Sequence, residues 1–230
     1  MATSRSYNDA CGMAHALDLV GERWALLVVR ELVLGPKRYT DLRVGLPGIS
    51  ANVLSHRLDE LTETGVVRRR RLGPPSGASV YELTEWGQEL EPVIMRLGRW
   101  GARSPSRPRE ANLSVSSVVL SLRTNFEPAA SADIGVGLEL RFGEEHFLAK
   151  VDQGKFEVHR APGNHDQAPD AVVDTTPIIL AGLLYGGQDL DAAVDSGSVT
   201  VEGDRAVVER FLTLFPLPVP AAGWTEQTSR

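Results

Sequence analysis

Four consecutive arginines, Arg68 to Arg71, follow the extended pair Val66-Val67 and precede Gly73-Pro74-Pro75-Ser76-Gly77 and Val80-Tyr81-Glu82-Leu83. A guanidinium group grips phosphate oxygens in a planar fork, and a strand, turn and strand would carry such groups on a projecting hairpin. Alternation along a strand turns half of them away from any one surface, and Arg69 and Arg71 are assigned to the contact. A second set lies upstream. Ser50, Asn52, Ser55 and His56 are short or planar hydrogen-bonding side chains of the kind that read base edges, with Lys37, Arg38 and Arg57 nearby to neutralise phosphates. The chemistry of the two sets together is that of duplex recognition.

Such side chains work only if a helix and a hairpin hold them. Met13, Leu17 and Val20 have helical spacing, as do Trp24, Leu27, Val28 and Leu32 after the Gly21 break. Gly35-Pro36 stops the second helix, a short helix runs from about Tyr39 to Gly45, and Pro47-Gly48 makes a turn. Ser50 is suited to cap a helix whose buried stripe is Val53 or Leu54, Leu58 and Leu61, ending at Gly65 and leaving Ala51, Asn52, Ser55, His56 and Asp59 outward. A hairpin after this helix-turn-helix is a wing. Thr84 then caps a last helix on which Leu90, Val93, Ile94, Leu97 and Trp100 recur as a wide apolar stripe, suited to pairing two copies.

The net charge of -6 conceals an asymmetry. Residues 1–110 carry 16 Lys/Arg against 13 Asp/Glu, whereas residues 111–230 carry 8 against 17. The first half can approach a polyanion and the second is repelled by it, which implies two modules with different partners. Ser104-Pro105-Ser106-Arg107-Pro108 suits neither helix nor sheet and marks the seam, giving domains 1–108 and 109–230. No apolar run is long enough to span a membrane, and the lone Cys11 has no internal disulfide partner, so a reducing cytoplasm is expected.

After the seam comes an amphipathic helix marked by Val115, Val118, Val119, Leu122 and Phe126, then strict alternation from Ile134 to Phe142. Shorter strands are expected at Phe147–Val151, Phe156–Val158 and Val199–Val201. Thr176-Pro177 opens a helix carrying Ile179, Leu180, Leu183 and Leu184, and a final helix holds Val207, Val208, Phe211 and Phe215 before a polar tail. The module is α+β, a sheet covered on one face by helices. Phe142, Phe147, Phe156, Leu183, Leu184, Tyr185 and Phe211 are candidates to line a cavity for an apolar ligand, or are packed core; periodicity does not separate the two.

The first half resembles the HxlR family. Cys11, His15-Ala16-Leu17-Asp18, Gly21 to Leu27, Arg38-Tyr39-Thr40-Asp41-Leu42, Gly48-Ile49-Ser50, Leu54-Ser55-His56-Arg57-Leu58 and Tyr81 to Gly87 occur in unbroken order over about residues 8 to 101. The resemblance implies a mainly α winged helix-turn-helix regulator that dimerises through its first and last helices, here with a longer wing tip, Gly73 to Ser79, than is usual. Such a dimer is expected on an inverted repeat of duplex DNA. The second half resembles the sterol-carrier-protein type of lipid-binding domain, through Pro169 to Val173, Gly186-Gly187-Gln188, Ser196 to Asp204 and Phe211 to Phe215. That resemblance implies an apolar cavity between sheet and helices.

Two alternatives stand beside a ligand-responsive repressor. Cys11 at a helix start favours thiolate, and the family resemblance includes redox-responsive members with cysteine here, which would make the chain a redox sensor. The other is a lipid or metabolite carrier that uses its winged helix to dimerise. Catalysis is not expected: His146, His159, His165 and Asp166 fit no helix-face metal pair, and no Gly-x-Ser-x-Gly or phosphate loop occurs. The sequence calls for no metal and no cofactor.

Overall fold

A computed structural model describes residues 6–74, 76–106, 108, 112–131, 134–161 and 168–221. His165, Asp166, Arg107, Pro75 and the tail after residue 221 lie outside the described residues. The chain divides into two compact units, Met1–Ile94 and Met95–Arg230.

In the first unit, α1 (Gly12–Val20), α2 (Ala25–Leu32), α3 (Tyr39–Gly45) and α4 (Ala51–Glu63) precede the hairpin of β1 (Val67–Arg71) and β2 (Ser79–Leu83). Val28, Val29 and Leu32 from α2, Leu42 from α3, and Leu54, Leu58 and Leu61 from α4 are buried in one cluster. Each such side chain contributes about 1.5–3 kcal/mol on leaving water, so the i, i+3, i+4 spacing fixes which way each helix faces. Val53 is exposed and Leu54 buried, which settles the stripe of α4.

Two elements differ from the sequence expectation. Trp24 is not inside a helix: it caps α2 with φ +78°, left-handed backbone that costs a non-glycine residue about 1–2 kcal/mol. Its ring packs against the core and lies under the Arg23 guanidinium, which offsets that cost. Thr84 caps only the short α5 (Glu85–Gln88), and α6 (Leu90–Ala102) begins separately. Pro92 explains the break, because it has no N–H and its ring would collide with the Gln88 carbonyl in a continuous helix. Leu90 and Ile94 pack on the first unit's core, while Val93, Leu97 and Trp100 are exposed and no residue of α6 is fully buried.

The second unit is α+β. It contains α7 (Val115–Asn125), a 3-10 turn at Pro128–Ser131, β3 (Gly135–Phe142), β4 (Glu145–Asp152), β5 (Lys155–Arg160), β6 (Ala171–Asp174), α8 (Pro177–Tyr185), α9 (Leu190–Asp195), β7 (Thr200–Gly203) and α10 (Arg205–Leu212). The sheet order is β5-β4-β3-β6-β7, antiparallel except for the parallel pair β3 and β6. Val136, Leu138, Leu140 and Phe142 on β3, with Phe147, Ala149 and Val151 on β4, are buried, with α10 packed on β3 and β6 and α7 on β5. Neither β6 nor α9 was expected from periodicity; each is too short to show one.

The opposite face of β3 holds Glu139, which is 5% exposed. Arg141 donates two hydrogen bonds to its carboxylate, both at 3.0 Å, and His146 Nδ1 lies 3.0 Å from Oε1. The Arg141 bonds, and then the His146 contact, hold the Glu139 pKa below its usual value against the opposing effect of burial. Because the folded value lies below the unfolded one, ionised Glu139 stabilises the fold at neutral pH, and this contribution drains away as pH falls from the ordinary glutamate range through the depressed value. Glu139→Gln should therefore lower Tm at neutral pH and differ progressively less from the native chain in acid. Thermal melts from pH 7 to 3 check this, and a pH-independent difference would contradict it.

Candidate nucleic-acid interface

The helix-turn-helix is α3, a turn containing Gly48 at φ +89°, and α4. Ser50 caps α4 by accepting from the Val53 N–H at 3.3 Å. The Tyr39 hydroxyl donates to the Ala51 carbonyl at 2.8 Å and receives the Ser55 hydroxyl at 3.4 Å, which fixes the start of α3 against the start of α4. Ser50, Asn52, Ser55 and His56 all lie on the exposed side of α4. His56 Nε2 is 3.2 Å from Glu60, whereas the Asn52 carboxamide has no partner among the described residues. Asn52 thus presents an exposed planar amide.

Two expected phosphate contacts are corrected. Lys37 is 5% exposed, with its Nζ 2.9 Å from Oε2 of the fully buried Glu31. Its ammonium is committed inside the fold, and Arg30 reaches the other oxygen of the same carboxylate at 2.8 Å. Arg57 is drawn back onto Glu60 and, at 3.9 Å, Glu22, leaving little of its side chain at the surface. Arg38 does remain exposed, and its Nη2 lies 3.4 Å from Ser76 at the wing tip.

The Lys37 backbone has a further role, exchanging hydrogen bonds of 3.0 and 2.8 Å with Tyr81 of β2. The side chain of residue 37 is anchored on α2 and its main chain on the wing, so one residue ties the two together. Gly45 makes room for this. A Cβ there would come within 2.5 Å of Glu31 Oε2.

Strand alternation separates the four arginines. Arg68 and Arg70 share one side with Glu82, at 2.8 Å and 2.8 Å respectively, while Arg69 donates to Ser79 at 2.7 Å with its guanidinium 5.9 Å from the Tyr81 ring centroid, and Arg71 donates to the Gly77 carbonyl at 3.1 Å. Hydrogen bonding from Arg70, then from Arg68, holds the Glu82 pKa below its usual range. Neither Arg69 nor Arg71 is paired with a carboxylate among the described residues. Sequence reasoning missed Glu82, Glu31 and Gly45. Glu82 was detectable as the one acid in a strand facing an arginine strand.

The second unit's candidates divide. Phe142 and Phe147 pack edge to face at 6.3 Å, with the Arg160 guanidinium 5.1 Å from the Phe147 ring centroid. Phe211 is buried in a cluster with Phe126, Phe156 and Phe215. Phe142, Phe147 and Phe211 are therefore core. Leu183, Leu184 and Tyr185 are half-buried on α8, as is Phe156 on β5. Cys11, at the start of α1, is exposed, and the N–H groups of Ala14 and then Met13 hold its thiol below the usual value. Among the described residues no three His, Cys, Asp or Glu side chains form a metal-binding group, and no helix is long and apolar enough to cross a membrane.

Comparison with known proteins gives two family matches. The HxlR-like helix-turn-helix family model matches residues 19–108, and the alkyl sulfatase C-terminal model matches residues 110–221. An uncharacterized HTH-type transcriptional regulator, YvaP of Bacillus subtilis, is 35% identical over 37% of this chain and 79% of its own. The HTH-type transcriptional regulator YodB of the same organism is 35% identical over 38% of this chain and 79% of its own. The solved sec-alkylsulfatase Pisa1 from Pseudomonas sp. is 19% identical with a TM-score of 0.38, over 41% of this chain and only 15% of its own.

Two measurements follow from this geometry. Replacing Arg69 and Arg71 by Ala should weaken binding to duplexes of any sequence and reduce the salt slope by about 1.8 per wing, two phosphates at about 0.9 each. Replacing Arg68 and Arg70 should change it less, because Glu82 already neutralises part of their charge. Fluorescence anisotropy at a series of salt concentrations compares the pairs, and equal effects would contradict the division. Lys37→Ala should instead act on stability, costing about 3–5 kcal/mol by leaving a buried carboxylate without its ammonium partner. Denaturant melts check that cost; a full-stability variant with a reduced salt slope would restore Lys37 as a phosphate contact.

Proposed function

The chain belongs to the HxlR-like helix-turn-helix family, and from that premise we propose that it is a homodimeric, sequence-specific DNA-binding regulator of transcription, acting as a repressor, whose second domain responds to an apolar small molecule. The domains in this reading are residues 1–108 and 109–230, the second having a sterol-carrier-protein-like architecture. The observation that carries the DNA assignment is the open Asn52 carboxamide on α4 beside a wing whose Arg69 and Arg71 are free of carboxylates among the described residues. Asn52, with Ser50, Ser55 and His56, reads base edges; Arg38, Arg69 and Arg71 hold phosphates.

Dimerisation is supported by apolar side chains that α1 and α6 leave in water: Met13, Leu17, Val93, Leu97 and Trp100, the last 73% exposed. Large apolar groups left in water on a helix gain by burial against a second copy. The match to an alkyl sulfatase segment covers too little of that enzyme to transfer its reaction. The ligand assignment rests instead on α8, where only Leu180 is fully buried in a helix without a charged residue.

Cys11 supports a second reading, in which thiol oxidation governs DNA release, because it is exposed and its thiolate is favoured by the α1 N–H groups.

A mobility shift with DNA flanking the chain's own coding region tests the proposal. The native protein should shift an inverted repeat with half-site centres about 10 bp apart. Leu97→Glu combined with Trp100→Glu should give a folded monomer, by sedimentation, with little specific affinity. A dimeric double variant would remove α6 from the interface, and a native chain with no sequence preference would overturn the regulator. Oxidant added with and without Cys11→Ser decides between the two switching readings.

A further inference from the structure

Ser55 stands on the exposed side of α4 with its hydrogen already engaged. The Tyr39 hydroxyl has one hydrogen, which it donates to the Ala51 carbonyl at 2.8 Å. That carbonyl lies one turn before Ser55 and is the acceptor to which a helical serine ordinarily turns its own hydroxyl. Here Ser55 donates instead to the Tyr39 oxygen, at 3.4 Å. Donation therefore runs from Ser55 to Tyr39 to Ala51, and neither hydroxyl has a second hydrogen to give. The Tyr39 ring packs against the core of the first unit, so the oxygen that receives Ser55 is placed by the fold.

What Ser55 keeps is the accepting capacity of Oγ, to which nothing donates among the described residues. In the major groove adenine and cytosine present an exocyclic amino group, whereas guanine presents O6 and N7 and thymine presents O4. An unconstrained serine hydroxyl satisfies either kind, and so discriminates poorly. An oxygen that only accepts meets the amino group and is repelled by the keto oxygens.

We propose that Tyr39 makes Ser55 an acceptor-only reader, so that each protomer selects adenine or cytosine over guanine or thymine at one position on one strand of its half-site. Every base pair carries one amino group in this groove, so the selection is of the strand that bears it. The assignment rests on the reading of α4 as the base-contacting helix and specifies the base chemistry it takes. Ser55 is the specificity-determining group, and Tyr39 is a positioning residue that acts through it.

The test recovers bound duplexes from a random-sequence pool with the full native chain, with Ser55→Ala and with Tyr39→Phe. The position read by Ser55 is the one at which Ser55→Ala ceases to discriminate, and there the native chain should retain adenine or cytosine with guanine and thymine depleted roughly tenfold. Tyr39→Phe keeps the ring and returns the hydrogen to Ser55, so it should admit all four bases at that position and leave the rest of the site unchanged. With adenine placed there, its replacement by purine, which lacks only the amino group, should weaken binding of the native chain roughly tenfold and leave Ser55→Ala unaffected. That comparison stands if Tyr39→Phe does not fold. A keto base preferred at the position, a Ser55→Ala profile identical to the native one, or a preference that survives in Tyr39→Phe would overturn the proposal and leave the regulator in place. A pool from which the native chain enriches no sequence would overturn both.

Discussion

The ion pair between Glu31 and Lys37 is the contact on which the DNA-binding surface depends. Taking both charges out of water costs several kcal/mol each, and the Coulomb gain at 2.9 Å repays this only where further donors complete the site. Arg30 supplies one such donor. The return is positional. With its side chain held on α2 and its main chain bridged to Tyr81, Lys37 fixes the base of the wing against the helices that carry α4. A hydrophobic pair of equal volume could stabilise the fold as well, but would not impose one direction and one length on the connection.

The wing shows how a charge run is edited by the strand that carries it. Four arginines in sequence look like one positive patch, yet alternation assigns two of them to Glu82 and two to a side with only hydroxyl, carbonyl and ring partners. The carboxylate lessens repulsion among guanidinium groups packed on one short strand. The charge left without a carboxylate partner among the described residues is thus concentrated on alternate residues, at a spacing set by the pleat.

The helices, the hairpin and the outward face of α4 were legible because each rests on local spacing: Leu54, Leu58 and Leu61 define a stripe whatever surrounds them. The departures arise where a nonlocal contact or one backbone constraint prevails. Pro92 divides what the apolar stripe joined, and Trp24 takes a strained backbone because its ring finds the core. Lys37 reads as a surface cation because neither helical nor strand periodicity links it to Glu31 six residues earlier; the turn between α2 and α3 folds it back onto that carboxylate. The aromatic candidates of the second unit pose a different problem. Phe142, Phe147 and Phe211 have the composition of a ligand lining, but periodicity reports only that a residue faces inward and not whether a neighbour fills the space.

The pairing of β3 with β6 has a consequence for the order in which the chain acquires structure. In the first unit, β1 meets β2 through a short tip and α4 leads directly into β1, so each contact closes a small loop. In the second, Leu138 must wait for Ala171, and α10 packs on that sheet from near the far end of the chain. Closing longer loops slows folding, and synthesis delivers the N-terminal residues first. The DNA-reading unit therefore emerges from the ribosome with every partner it needs for its own core, while the second unit is still short of a strand.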